Sequence, residues 1–111
     1  MKQIKAMIRT NMADEVIDAL ENLPKTPGLT VSEVQGWGHS KNGADAKLTE
    51  RVKLESVVPD EQVETVLDCL VKYARTGEGH YGDGLIFVST VDEVVRIRNG
   101  QRGEEVFRHK D

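Results

Sequence analysis

The sequence predicts an α+β sandwich, four antiparallel strands with two helices on one face of the sheet. Two observations carry this expectation. Stretches of period-two alternation are interleaved with stretches whose apolar residues recur at i, i+3, i+4 and i+7, in the order strand, helix, strand, strand, helix, strand. The chain also repeats itself: Val16-Ile17-Asp18-Ala19-Leu20 matches Val66-Leu67-Asp68-Cys69-Leu70 at an offset of fifty, which carries Ile8 onto Val58. Two interleaved strand–helix–strand halves make a ferredoxin-like fold. Its bare sheet face must be covered, which predicts assembly of several copies.

From Lys2 to Arg9, Ile4, Ala6 and Ile8 point one way and Lys5, Met7 and Arg9 the other, a half-buried first strand. Asn11 is the expected cap of a helix whose apolar stripe is Ala13, Val16, Ile17 and Leu20. Asp14 and Glu15 fall in its first turn, where the helix dipole favours negative charge, and Pro24, Pro27 and Gly28 end it. Leu29–Gly36 reads as a second strand. Residues 37–50 are polar, without apolar period, and read as a loop. Arg51–Val58 is the third strand, with Val52, Leu54 and Val58 on one face. Pro59 stops it and Asp60 is the expected cap of the second helix, where Val63, Val66, Leu67, Leu70, Val71 and Ala74 form the apolar face. The fourth strand, Leu85–Ser89, is a continuous apolar run and predicts burial on both sides, in a central strand or a subunit contact.

At 111 residues the chain is one domain, 1–111. A net charge of −4 argues against general nucleic-acid affinity. No apolar run approaches the roughly 18 residues of a membrane span, which speaks against membrane insertion. The single cysteine, Cys69, excludes an intrachain disulfide and fits a reducing, cytoplasmic setting. It lies one step off the apolar stripe of the second helix and reads as a packing residue. With aromatics at 5%, small aliphatic residues must build the core.

The chemistry is concentrated in glycine and arginine. Arg75-Thr76-Gly77-Glu78-Gly79-His80-Tyr81-Gly82-Asp83-Gly84 runs into the fourth strand, and Arg96-Ile97-Arg98-Asn99-Gly100 follows it. Glycines let backbone N–H groups approach an anion, and arginines supply planar forks for phosphate oxygens. Arg96 and Arg98, two apart in an extended segment, would project in one direction. Each arginine also fits an ordinary solvated strand end, and the loop an ordinary turn. Gly36-Trp37-Gly38 reads either as a strand-end turn with a packing tryptophan or as a backbone-lined crevice with an aromatic beside a base or sugar. Val34-Gln35-Gly36 is similar to the phosphate loop of acylphosphatases, but that loop follows the first strand and continues to an arginine, and the reading is rejected. His39, His80, His109 and Cys69 show no short zinc spacing, although His39 and His80 would meet if both glycine turns line one cleft. Ser40, Ser56 and Ser89 lack a motif joining them to a base and an orienting acid, so no catalytic residue is assigned.

The chain resembles the PII signal-transduction family, the nitrogen regulatory protein P-II family, over nearly its whole length. The resemblance is carried by Met1-Lys2-Gln3-Ile4-Lys5-Ala6-Met7-Ile8, Thr30-Val31-Ser32-Glu33-Val34, Gly36-Trp37-Gly38, Lys53-Leu54-Glu55-Ser56-Val57-Val58-Pro59-Asp60, Arg75-Thr76-Gly77, Gly82-Asp83-Gly84, and Arg96-Ile97-Arg98 with Gly100 and Gly103-Glu104-Glu105. It implies a non-enzymatic homotrimer that binds adenine nucleotides, ADP, AMP or ATP, between subunits and signals through a flexible loop, here about 38–50. Residue by residue, Thr30 resembles the threonine beside the adenine. Gly36, Trp37 and Gly38 resemble the backbone contacts at the base of that loop, and Val57 an apolar wall. Gly82, Asp83 and Gly84 resemble the cradle for phosphates and ribose, within a glycine-rich loop 76–84. Arg96 and Arg98, in a C-terminal segment 96–111, would reach the phosphates of a neighbouring subunit, and Arg51 stands where the family usually has a lysine.

The departures shape the expectation. The loop after Gly38 is short and has no tyrosine, which argues against uridylylation. His39-Ser40 replaces an Arg-Gln pair whose glutamine helps hold magnesium and 2-oxoglutarate. His80-Tyr81 lengthens the glycine loop, and Leu85 replaces a phosphate-contacting lysine, which favours ADP or AMP over a triphosphate. The expectation is a divergent PII-like sensor with a small anion such as bicarbonate as co-effector near Arg51. The regulated partner, an enzyme, a transporter or a carboxysome-related protein, is not identified. The alternatives are a metal-responsive trimer using His39 and His80, or a standard ATP and 2-oxoglutarate sensor.

Overall fold

In a computed structural model that describes residues 1–25, 28–39 and 46–107, β1 (Lys2–Arg9), α1 (Ala13–Glu21), β2 (Thr30–His39), β3 (Ala46–Val58), α2 (Val63–Ala74) and β4 (Gly84–Thr90) follow in that order. The strands form one antiparallel sheet in the order β2-β3-β1-β4, and the fold is ferredoxin-like. Alternation explains the core. Ile4, Ala6 and Ile8 lie opposite Ser56, Leu54 and Val52, and this face is buried under Val16, Leu20, Val66 and Leu70 of the two helices. Each such aliphatic side chain contributes about 1.5–3 kcal/mol on burial, so the shared face holds the fold together. Cys69 is buried with it, and that burial raises its thiol pKa. No helix among the described residues is long and apolar enough to cross a membrane.

Several expectations change. Neither Asn11 nor Asp60 caps a helix through its side chain. Each lies in a 3-10 turn, Thr10–Met12 or Asp60–Gln62, that feeds directly into the helix, and the backbone carbonyls of Thr10 and Asp60 accept the N–H groups of Ala13 and Val63. The Asp60 carboxylate instead accepts from the N-terminal amine at 2.8 Å. β4 is not central. It is an edge strand in which Leu85, Phe87 and Val88 are exposed in the protomer, which leaves the subunit-contact half of that reading.

The loop expected at 37–50 is much shorter. β2 runs on to His39 and β3 starts at Ala46, with Gly36 opposite Thr49, Trp37 opposite Leu48 and Gly38 opposite Lys47. This two-stranded arm has water on both faces, so nothing imposes apolar alternation on it, and its periodicity is invisible in sequence. Pro27, Ser40 and His109 lie outside the described residues.

Candidate functional site

The glycine loop between α2 and β4 is organised by Asp83. Its Oδ1 accepts from the Thr76 hydroxyl at 2.6 Å and Arg9 Nε at 3.0 Å, and its Oδ2 accepts from the backbone N–H of His80 at 2.9 Å and of Thr76 at 3.1 Å. The Thr76 hydroxyl, then the His80 amide, hold the Asp83 carboxyl well below the usual carboxylate range, with Arg9 adding to the effect. His80 Nδ1 lies 2.7 Å from the Thr76 carbonyl, so that nitrogen carries the proton and donates. Asp83 therefore shapes the loop from within, with both oxygens engaged by the protein itself.

This staple brings two arginines to one glycine. Arg9 ends β1 and Arg51 lies directly opposite it on β3, on the sheet face away from the helices. Arg9 Nη2 also donates to the Tyr81 carbonyl at 2.8 Å. Gly82 sits at φ +89°, and a Cβ built on it would stand 3.3 Å from Arg9 Nη2 and 3.4 Å from Arg51 Nη2. Like charges opposed across strands repel. Asp83 offsets the charge of Arg9; among the described residues no carboxylate pairs with Arg51, whose Nη1 donates to the Glu50 carbonyl at 3.1 Å. Beside the pair opens a groove of about 450 Å³ that also takes in Thr10, Asn11, Lys47, Leu48, Thr49 and Glu50, so three cations face it against one carboxylate. The arrangement suits a small anion.

Arg9 was not among the residues singled out from sequence. The signal was present, because antiparallel strands spanning Lys2–Arg9 and Arg51–Val58 necessarily set Arg9 against Arg51. Gly84 has another task from its neighbours. At φ +120° it packs so closely on β1 that a Cβ would stand 1.8 Å from the Met7 carbonyl oxygen.

Thr30 opens β2 opposite Glu55, and Val57 lies opposite Gln3, on the same sheet face as Arg9 and Arg51. Gly36 joins them, opposite Thr49. Trp37 falls on the other face by strand alternation and is 67% exposed, so in this protomer only its backbone fits the crevice with Thr30 and Arg51. Gly38 follows in the exposed arm, and His39 closes β2 opposite Ala46.

The two distal arginines part company. The segment expected to be extended is a turn, closed by Arg96 N–H to the Gln101 carbonyl and Gly100 N–H to the Arg96 carbonyl, both at 2.8 Å. Arg96 is buried, whereas Arg98 is exposed and Ile97 lies at the tip. The two guanidinium groups therefore do not project side by side. Backbone hydrogen bonds of the turn dictate this, and an alternating sequence pattern cannot reveal it. Among the described residues no three His, Cys, Asp or Glu side chains converge on a metal-sized site.

The profile of the nitrogen regulatory protein P-II family matches residues 1–101. Among curated relatives, nitrogen regulatory protein P-II 2 of Methanothermobacter thermautotrophicus is 46% identical over 95% of this chain and 96% of its own. Nitrogen regulatory protein P-II of Synechocystis is 44% identical over 96% of this chain and 100% of its own. Among solved structures, Arabidopsis thaliana PII bound to citrate superposes with a TM-score of 0.81 at 35% identity, over 99% of this chain and 92% of that one.

Proposed function

The chain belongs to the nitrogen regulatory protein P-II family, and on that premise we propose that it is a non-enzymatic homotrimeric sensor of adenine nucleotides. ADP, AMP or ATP binds in clefts between subunits, and occupancy reorders the tip of the β2–β3 arm that a partner protein reads. Thr30, Gly36 to Gly38 and Val57 surround the base and sugar, Gly82 to Gly84 face the phosphates, and Arg98 reaches in from the neighbour. The bare face of the sheet, with the exposed apolar side chains of β4, is the surface that assembly covers.

One observation carries the anion half of this reading. Two terminal guanidinium nitrogens flank the side-chain-free Gly82, and one of those arginines lacks a carboxylate partner among the described residues. A small carboxylate or bicarbonate beside the nucleotide phosphates would give Arg51 that partner. The citrate named with the Arabidopsis structure is an anion of this carboxylate class. Our assignment gives Arg9 a part that the sequence reading had given to Arg51 alone.

The test is calorimetric titration with ADP, AMP and ATP, with and without magnesium, repeated with bicarbonate and with 2-oxoglutarate. ADP or AMP binding strengthened by bicarbonate is the expected result, weakened at least about tenfold by Arg98→Ala, the loss of a charge-assisted contact. Strengthening of magnesium-ATP by 2-oxoglutarate would move the chain to nitrogen sensing. No binding of any nucleotide would end the proposal.

A further inference from the structure

We propose that Arg9 is a positioning residue: it relays an anion bound at the Arg9–Arg51 pair to the glycine loop and so orders residues 76–83. This rests on the anion site of the reading above and names how that site acts on the nucleotide cradle.

Arg9 holds the loop by one edge of its guanidinium. Its Nε donates to Asp83 Oδ1 at 3.0 Å and its Nη2 donates to the Tyr81 carbonyl at 2.8 Å. Among the described residues it is the one side chain outside 76–83 that hydrogen-bonds to the loop. The other bonds of Asp83, from Thr76 and His80, stay within the loop. Thr76 and Asp83 are half-buried and the remaining loop residues are exposed, so hydrogen bonds rather than apolar burial give the loop its shape.

A guanidinium carries five N–H groups, and these two bonds use two of them. Among the described residues nothing bonds to Nη1 of Arg9. Its end edge, Nη1 with the second N–H of Nη2, is left for an anion, beside the Nη2 of Arg51 at the same glycine. Arg9 can thus take an anion without leaving the loop.

Arg51 sets the direction of the relay. It lies opposite Arg9, and no carboxylate among the described residues pairs with it. Lys47 and Glu50, which line the adjoining groove, carry opposite charges and leave the arginine pair to attract the anion. Without an anion the charge of Arg51 pushes on Arg9 and loosens its hold on Asp83 and Tyr81. An anion shared by both arginines offsets that push, and the ordered loop then presents Gly82 to a phosphate. Direct repulsion between the anion and the phosphates acts the other way. With the relay cut only the repulsion remains, so the sign of the coupling reports the relay. The coupling is reciprocal, and nucleotide tightens the anion by the same factor.

Amide hydrogen exchange without nucleotide, in bicarbonate and in chloride of equal ionic strength, tests the relay on wild type and on Arg9→Lys. The variant keeps the charge but loses the two-edged fork. Slower exchange in bicarbonate is expected at Thr76 and His80, whose N–H groups donate to Asp83, in wild type and not in the variant. Calorimetry gives a second readout. Bicarbonate should tighten ADP binding at least about fivefold in wild type and leave it equal or weaker in the variant. Unchanged or faster exchange at 76–83 in wild type overturns the relay, and if ADP still binds, the nucleotide reading stands. Tightening retained by a folded Arg9→Lys also overturns it. Should the variant fail to fold, the wild-type exchange measurement decides alone. Slowing by bicarbonate in protein that binds no ADP supports the relay while ending the nucleotide reading, so the two failures are distinct.

Discussion

The two halves of the chain are built alike up to the ends of their helices and differ after them. Met12 and Gln62, fifty positions apart, precede their helices with φ −101°, ψ −6° and φ −101°, ψ −7°. Each helix is entered through a three-residue 3-10 turn, and Val16 and Leu20 are buried as Val66 and Leu70 are. Beyond the helices the likeness stops. After α1 the described residues 22–25 are only a turn and bends; after α2 comes a loop stapled by Asp83 that delivers Gly82 to two arginines. Repetition supplies the scaffold, and the candidate chemistry lies where the repeat is broken.

The largest expected effect falls on the point where that broken loop meets the scaffold. Gly84→Ala combines a left-handed φ with a backbone clash that no side chain can relieve. It should cost at least about 3 kcal/mol by parting β4 from β1. Denaturant unfolding with a loss under about 1 kcal/mol would show that the close approach is not required. Next come Leu20→Ala and Leu70→Ala, 1% and 2% exposed at equivalent positions. Each should lose about 2–5 kcal/mol, and by similar amounts, if the halves contribute equally to one core. A difference of more than about 2 kcal/mol between them would break the equivalence.

Legibility follows the same division. The repeat, the order of elements and the buried stripes of β1, β3, α1 and α2 were readable because burial on one face imposes a period on the side chains. The extension of the arm and the edge position of β4 were not, because backbone hydrogen bonds set them under side chains that face water. Nor was the turn at Arg96, because backbone hydrogen bonds close it without any side-chain period. At the candidate site, Gly82, Asp83 and Arg51 stood out by type. Arg9 was hidden, since a terminal arginine on a half-buried strand looks solvated until register sets it against Arg51. The inward turn of Arg96 depends on Gln101 and Val106, a contact with no sequence period to announce it.

Asp83 offers a smaller, pH-resolved test of the loop. Its carboxyl is more acidic folded than unfolded, so its stabilisation is complete above its ordinary value of 3.8 and drains away as pH falls toward the lower folded value. Asp83→Asn removes the charge but nearly keeps the shape. The variant should melt below wild type at neutral pH, and the gap should close as pH is lowered through about 4. Thermal melts between neutral and acid pH check this, and a gap that stays constant would mean that the carboxylate charge does not hold the loop.

The smallest expected effect restores the repeat where it is broken inside the core. Ser56 occupies in β3 the place that Ala6 occupies in β1, fifty positions earlier, and both side chains are buried. The extra hydroxyl donates to the Gly28 carbonyl at 2.7 Å and ties the start of the β2 arm to β3. Ser56→Ala removes a bond worth about 0.5–1.5 kcal/mol. The low end of that range is expected, because Gly28 is exposed and its carbonyl can turn to water. The β1 precedent adds that alanine packs without a void at this kind of position, since Ala6 is 0% exposed. Urea unfolding should therefore show a loss below about 1.5 kcal/mol, with faster amide exchange at the start of β2 as the accompanying sign. A loss above about 3 kcal/mol would mean that the second half depends on a polar tie that the first half never had, and the two would then be alike in outline only.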